Sequence, residues 1–297
     1  MSPYLLSMFV SSVLGLVLAI PSNTCIVMGN LDIIRKKGKL SPSDVIFLGK
    51  GIVNILLQCV MSLQTMLYVL CPEVLNITGE HGFMITSVYF LIYYNFWLTF
   101  WLSAHYCTSI TNLSYGFFIW LNRSVSNFLS HLLFLTALGV FIVSVPRFWA
   151  TNADSLQSSE NSTKASGNRY LEFYLPTNTL GCILPTCLSL LFLVLTFSFL
   201  LRHVWRVKNN DSGSTRPNLQ AHVTALRTIF FLLLMFAIFC MTQAVAFFQN
   251  SSLFTVSWDL QLLSQSVEAA VIFQASKKLR RIILRRFWIK CGWNTET

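Results

Sequence analysis

Charge is what this chain of 297 residues has least of: only 11% is Asp, Glu, Lys or Arg, against roughly a quarter in soluble proteins. Acidic residues are scarcest, 11 against 21 basic ones. So few charges exclude an ordinary soluble enzyme. Catalytic and metal-binding patterns are missing as well. No Cys-x-x-Cys or His-x-x-His spacing occurs, and His81, His105, His131, His203 and His222 have no carboxylate or Cys at motif spacing. No catalysis, cofactor or metal is therefore expected. The eight cysteines form no disulfide framework: Cys25, Cys59, Cys107, Cys182, Cys187 and Cys240 lie inside apolar runs, Cys71 at a helix end and Cys291 in the tail. There a reduced thiol acts as a small hydrophobe.

What is present is apolar. Hydrophobic residues make up 54% of the chain, which includes 25 Phe, 8 Trp and 9 Tyr, and mean hydropathy is +0.61. A chain so aromatic is not disordered. Runs of about 20 apolar residues, the length a bilayer-spanning helix needs, fall at approximately 5–31, 44–70, 83–110, 128–145, 177–201, 225–248 and 254–275. The expected fold is an all-α membrane protein, a single seven-transmembrane helix bundle over residues 1–297. The first run has no basic flank of the kind that precedes a signal peptide, so it is expected to be a retained helix.

The net charge of +10 does not mark a nucleic-acid surface, because the basic residues stand at the ends of apolar runs. Seventeen Lys and Arg fall in the odd-numbered connections and the tail, and three, Arg147, Lys164 and Arg169, in the even-numbered ones. The positive-inside rule then puts the N-terminus outside the cell and the C-terminus in the cytoplasm, as expected of a multi-pass plasma-membrane protein. Sequons at Asn76, Asn161 and Asn250 fall in the expected outer loops and are candidate glycosylation sites. Beyond the seventh run, Leu279, Ile282, Ile283 and Phe287 share one helical face, with Arg280, Arg281 and Arg285 largely on another. A basic amphipathic tail helix over 277–290, lying in the headgroup layer, is expected; a plain stop-transfer run is the alternative.

Seven helices, an outer N-terminus and a short tail helix describe a G-protein-coupled receptor, and motifs narrow the type. Leu201-Arg202-His203-Val204 closes the fifth run, and His222-Val223-Thr224-Ala225-Leu226-Arg227-Thr228 opens the sixth. These inner ends resemble the bitter taste receptor family (taste receptors type 2). Lys39-Leu40-Ser41-Pro42-Ser43-Asp44, Leu102-Ser103-x-x-Tyr106, Asn112-Leu113-Ser114 and Lys278-Leu279-Arg280 support the resemblance. Departures accompany it: Asn54 stands where the family usually has Arg, Ser109 where it has Lys, Val88 where it often has a ligand-facing Trp, and Glu268-Ala269 replaces a His-Ser or His-Pro pair. The chain lacks Asp-Arg-Tyr after the third run, Asn-Pro-x-x-Tyr in the seventh and a Cys opening the third, which argues against a typical rhodopsin-class receptor.

The resemblance implies a chemoreceptor for small, mostly lipophilic compounds that activates a heterotrimeric G protein with a gustducin-like or inhibitory α subunit. A vomeronasal type 1 chemoreceptor is the related alternative, and a small multi-pass transporter the alternative from another class; no internal repeat favours the latter. A ligand site is expected between the outer halves of the helices. Its candidates are Val88, Tyr89, Ile92, Tyr93 and Phe96 on one face of the third helix, with Asn178, Phe239, Thr242, Gln243, Ala246, Trp258, Asp259 and Leu262. Ordinary helix packing would use the same residues. Asp259 could meet a cationic ligand or lie idle at the water interface. Arg202, His203, Arg206, His222 and Arg227 are the candidates for G-protein coupling, with membrane-surface anchoring as the alternative. His105 and His131 read as interhelical hydrogen-bond partners.

Two charges fall inside apolar runs, Lys50 and Glu268. Each alone would cost about 3 kcal/mol at the bilayer centre on insertion scales. An interhelical polar set of Asn23, Lys50, Asn54 and Glu268 is expected, with Lys50 paired to Glu268; the alternative is that Lys50 snorkels to the headgroups.

Overall fold

The structure is a computed structural model that describes residues 3–71, 80–111, 116–157, 175–210, 230–231, 234, 238, 251–276 and 279–282. Among these the chain is helical apart from short connections, without strands. Helix α1 runs Pro3–Lys37, α2 Pro42–Leu70, α3 Glu80–Thr111 and α4 Gly116–Gln157. Helix α5 is continuous through Leu175–Asn178, Thr179–Ile183 and Leu184–Asn210, and α6 is Ser251–Ala275. Five helices, α1 to α5, are long and apolar enough to cross a membrane. Helix α6, the seventh expected run, is long enough at 25 residues but carries Asp259, Gln261, Gln265 and Glu268. Of the sixth expected run, Phe230, Phe231, Leu234 and Ile238 are described, and all are helical. Of the tail helix, 279–282 are helical; the remainder of both lies outside the described residues.

Local chemistry sets the helix ends. Gly38, at φ 70°, takes the left-handed conformation that suits a residue without a β-carbon, and its N–H donates to Ile34 O at 2.8 Å. That closes α1. Three residues on, Ser41 caps α2: its side chain accepts from the Asp44 N–H at 3.3 Å, and Pro42 opens the first turn, where a missing N–H costs nothing.

The helices outrun the apolar spans. Helix α1 continues past Leu31 through Asp32 to Lys37, and α4 covers 42 residues where the apolar span covers only 128–145. The apolar span ends at Val145, just before Pro146, but the helix passes through that proline. Hydropathy marks the part suited to lipid, whereas backbone hydrogen bonding continues as long as each turn supports the next.

A π-turn shapes the N-terminal part of α5. Pro185 has no N–H to offer the Gly181 carbonyl, so regular bonding fails there. The Leu184 N–H donates five residues back, to Thr179 O, which is the π-helical pattern.

Helix α3 sits centrally, packed on α2, α4 and α5, while α1 packs on α2 and α6. The core accordingly follows α3 and α2. Ile26, Ile46, Leu57, Met61, Leu98, Leu102 and Leu262 are among its fully buried members. Aromatic contacts join the layers: Phe90 meets Phe141 of α4 edge-on with ring centroids 6.2 Å apart, and Phe100 meets Phe192 of α5 at 5.8 Å. Exposed large side chains such as Phe134, Leu135, Phe141 and Ile142 cover the outer face of α4. In water they would be a liability; against lipid they are solvated.

Candidate functional site

The strongest polar site crosses four helices. Lys50 on α2 is 0% exposed, and its ammonium has three hydrogens to place. It stands 2.5 Å from Glu268 Oε1 on α6 and donates to Asn95 Oδ1 and Thr99 Oγ1 on α3, both at 2.7 Å. The other Glu268 oxygen, Oε2, accepts from Asn54 Nδ2 at 3.0 Å and Asn95 Nδ2 at 3.2 Å. Asn95 Nδ2 also donates to Asn54 Oδ1 at 3.0 Å, and Asn54 Nδ2 to Asn23 Oδ1 on α1 at 3.2 Å. Asn23 Nδ2 completes the set on Ala19 O at 2.9 Å and Gln265 O at 3.3 Å. Every amide hydrogen of the three asparagines thus has an acceptor, and each charge has an opposite partner. That closure is what a buried ionic network needs to be tolerated.

The structure therefore brings together Asn23, Lys50, Asn54 and Glu268. Lys50 points inward to this network rather than snorkelling past Asp44. Asn95 and Thr99 were missed by the sequence reading. Their signal was present, two polar side chains at i and i+4 in an apolar run, on the same face of α3.

The expected ligand residues divide into two groups. Val88, Ile92, Tyr93 and Phe96 are buried on α3 and Tyr89 is half-buried; the Tyr89 and Tyr93 ring centroids lie 5.8 Å apart. The Tyr93 hydroxyl donates to Asn178 Oδ1 on α5. Its ring lies over the π-turn: a β-carbon on Gly181 would stand 2.5 Å from ring atoms of Tyr93. Gly181, also missed, lets helix and ring approach this closely.

The α6 residues turn elsewhere. Trp258 Nε1 donates to Thr65 Oγ1 on α2 at 3.0 Å, and Leu262 is fully buried in the core. Asp259 faces α1, where it accepts from Ser7 Oγ at 2.5 Å and Ser11 Oγ at 2.6 Å. Both carboxylate oxygens are thus tied to a neighbouring helix. Phe239, Thr242, Gln243 and Ala246 lie outside the described residues.

Of the expected coupling residues, Arg202 is exposed on the last turns of α5, and His203 and Arg206 belong to the same helix. His222 and Arg227, and the sequons at Asn76, Asn161 and Asn250, lie outside the described residues. The two histidines differ from expectation. His131 is exposed on α4 with its ring against Phe128, and His105 Nδ1 is buried without a hydrogen-bond partner among the described residues. A helical His finds an interhelical partner only if its face meets another polar side chain, and among the described residues neither makes an interhelical hydrogen bond.

The family model described as taste receptor protein (TAS2R) matches residues 1–290. Among similar proteins, taste receptor type 2 member 41 of Rattus norvegicus is 27% identical over 85% of this chain and 88% of its own length. Taste receptor type 2 member 40 of Gallus gallus is 29% identical over 76% of this chain and 73% of its own. Taste receptor type 2 member 9 of Homo sapiens is 25% identical over 93% and 92% respectively. These relatives are taste receptors, not enzymes.

Proposed function

The chain belongs to the taste receptor (TAS2R) family, and from that premise we propose that it is a bitter-type chemoreceptor that couples small-molecule binding to a heterotrimeric G protein. The observation that carries the reading is the family match over residues 1–290. The aromatic face of α3 supports it: Tyr89 is half-buried, Tyr93 and Phe96 are buried where α3 meets its neighbours, and the Tyr93–Asn178 hydrogen bond supplies one polar pair. Such a lining suits compact, mostly lipophilic agonists with one hydrogen-bonding group.

In this reading seven helices span the plasma membrane, with the N-terminus extracellular, the C-terminus cytoplasmic and the tail helix on the inner leaflet. An agonist between α3 and α5 favours a state in which the inner ends of the fifth and sixth helices part, a population shift set by its differential affinity. Arg202, His203, Arg206, His222 and Arg227 line the opening that receives a gustducin-like or inhibitory α subunit. The test is nucleotide exchange. Purified receptor in lipid nanodiscs, screened against bitter compounds, accelerates exchange on purified G protein in an agonist-dependent way. Agonist transport across sealed vesicles without any exchange would identify a transporter and overturn the reading.

A further inference from the structure

Outward of the Lys50 network, the junction of α1, α2 and α6 holds three buried oxygens without a hydrogen-bond partner among the described residues: Ser12 Oγ, Gln58 Oε1 and Gln265 Oε1. Ser12 and Gln58 are 0% exposed and Gln265 is 1% exposed. Leaving such a group unpaired forfeits its hydration without return, and native interiors hold few of them. Three on three adjoining helices call for a common explanation.

Contacts of Gln58 with α1 and of Gln265 with α2 bring the three side chains to the same junction. Gln58 reaches from α2 onto α1 at Gly15, where a β-carbon would stand 2.3 Å from Gln58 Nε2 and 3.1 Å from Oε1. Ser12 lies one turn outward on the same buried face of α1. From α6, Gln265 Nε2 comes within 3.8 Å of Met61 Sδ, and Met61 is one turn from Gln58 along α2. Rotating either amide does not remove the deficit. Gln58 has one bond, from Nε2 to Ser62 Oγ at 3.1 Å, and Gln265 faces a thioether, a weak acceptor. In either orientation one polar end of each amide stays unpaired.

We propose that this junction is a binding site for internal water, held by Ser12, Gln58 and Gln265. Water has the matching valence. It donates one hydrogen to each amide oxygen and accepts the Ser12 hydroxyl hydrogen, making the roughly three bonds usual for a buried water. A sodium ion would also suit three oxygens, but all three are neutral. Glu268, one turn inward on α6, is already paired with Lys50, so no free countercharge adjoins the site. Water here continues the polar run of α6 from Asp259 to Glu268.

Met61, 0% exposed, is a built-in reporter. Full-length receptor in nanodiscs is pulsed with hydroxyl radicals generated from isotope-labelled water, and labelled oxygen is located by mass spectrometry. Cys107, also 0% exposed, is the reference for a buried sulfur. Met61 is expected to gain label several-fold faster than Cys107, and Gln58→Leu with Gln265→Leu to bring it down to the Cys107 rate. Ser12→Val, a milder change that closes the site from α1, is expected to act in the same direction. Met61 labelling no faster than that of Cys107 overturns the proposal, and so does fast labelling that these variants leave unchanged. Protection of Met61 by sodium but not by potassium would assign the site to the cation instead.

Discussion

Glu268→Gln is the most direct test of the four-helix network. The substitution keeps the shape and one acceptor oxygen and removes only the charge. In the native chain the three Lys50 hydrogens fall on Glu268 Oε1, Asn95 Oδ1 and Thr99 Oγ1. Glu268→Gln leaves the ammonium buried among neutral acceptors. Breaking one partner of a buried pair in this way costs about 3–5 kcal/mol. Lys50→Met leaves the carboxylate with two amide donors, Asn54 and Asn95, and a charge in the membrane that costs about 3 kcal/mol on insertion scales. Combining the two removes both charges, so the double variant is expected to recover about 1–3 kcal/mol of the summed losses. Lys50→Glu with Glu268→Lys, which reverses the pair, is expected to recover part of the loss as well. The assay is the thermal midpoint of purified receptor in nanodiscs, read alongside surface immunolabelling and agonist-evoked calcium. Single variants that each stay within about 0.5 kcal/mol of wild type, the usual range for inconsequential substitutions, would refute the reasoning.

Further outcomes follow from the same geometry. Gly181→Ala puts a β-carbon 2.5 Å from the Tyr93 ring; overpacking of this kind costs about 1–3 kcal/mol, and Tyr93→Leu in the same chain restores room. A drop in thermal midpoint that Tyr93→Leu partly reverses is the expected reading, and an unchanged midpoint for Gly181→Ala counts against the close approach. Asp259→Asn loosens the tie to Ser7 and Ser11, so responses to amine and neutral agonists should fall together by a similar factor. A selective loss for amines would show that Asp259 meets the ligand. His222→Ala with Arg227→Ala is expected to abolish G-protein activation at normal surface expression; full signalling at normal expression would remove both residues from the coupling surface.

The membrane class and the family were both legible in the chain itself. Apolar runs and basic flanks depend on each residue's own preference for lipid or water, and motifs such as Leu201-Arg202-His203 and His222-Val223-Thr224-Ala225-Leu226-Arg227 are read in order along the chain. Lys50 and Glu268 stood out for the same reason, since an isolated charge in an apolar run must find a partner. Each could be named as the other's partner, but the neutral groups around them were a different matter. Asn95 and Thr99 are ordinary polar residues locally, and they become ligands of the Lys50 ammonium only because α3 packs beside α2 with that face inward. Asp259 depends on packing in the same way: its place along the chain left open a ligand contact or an idle position at the water interface, and the packing of α6 against α1 gives both oxygens to Ser7 and Ser11. Periodicity assigns residues to a face, but helix rotation and depth decide what that face meets, and these arise from packing among residues 45 to 252 positions apart. The polar content of the bundle and the Lys50–Glu268 pair were therefore legible along the chain, while the neutral ligands of that pair, Asn95 and Thr99, were decided by tertiary packing.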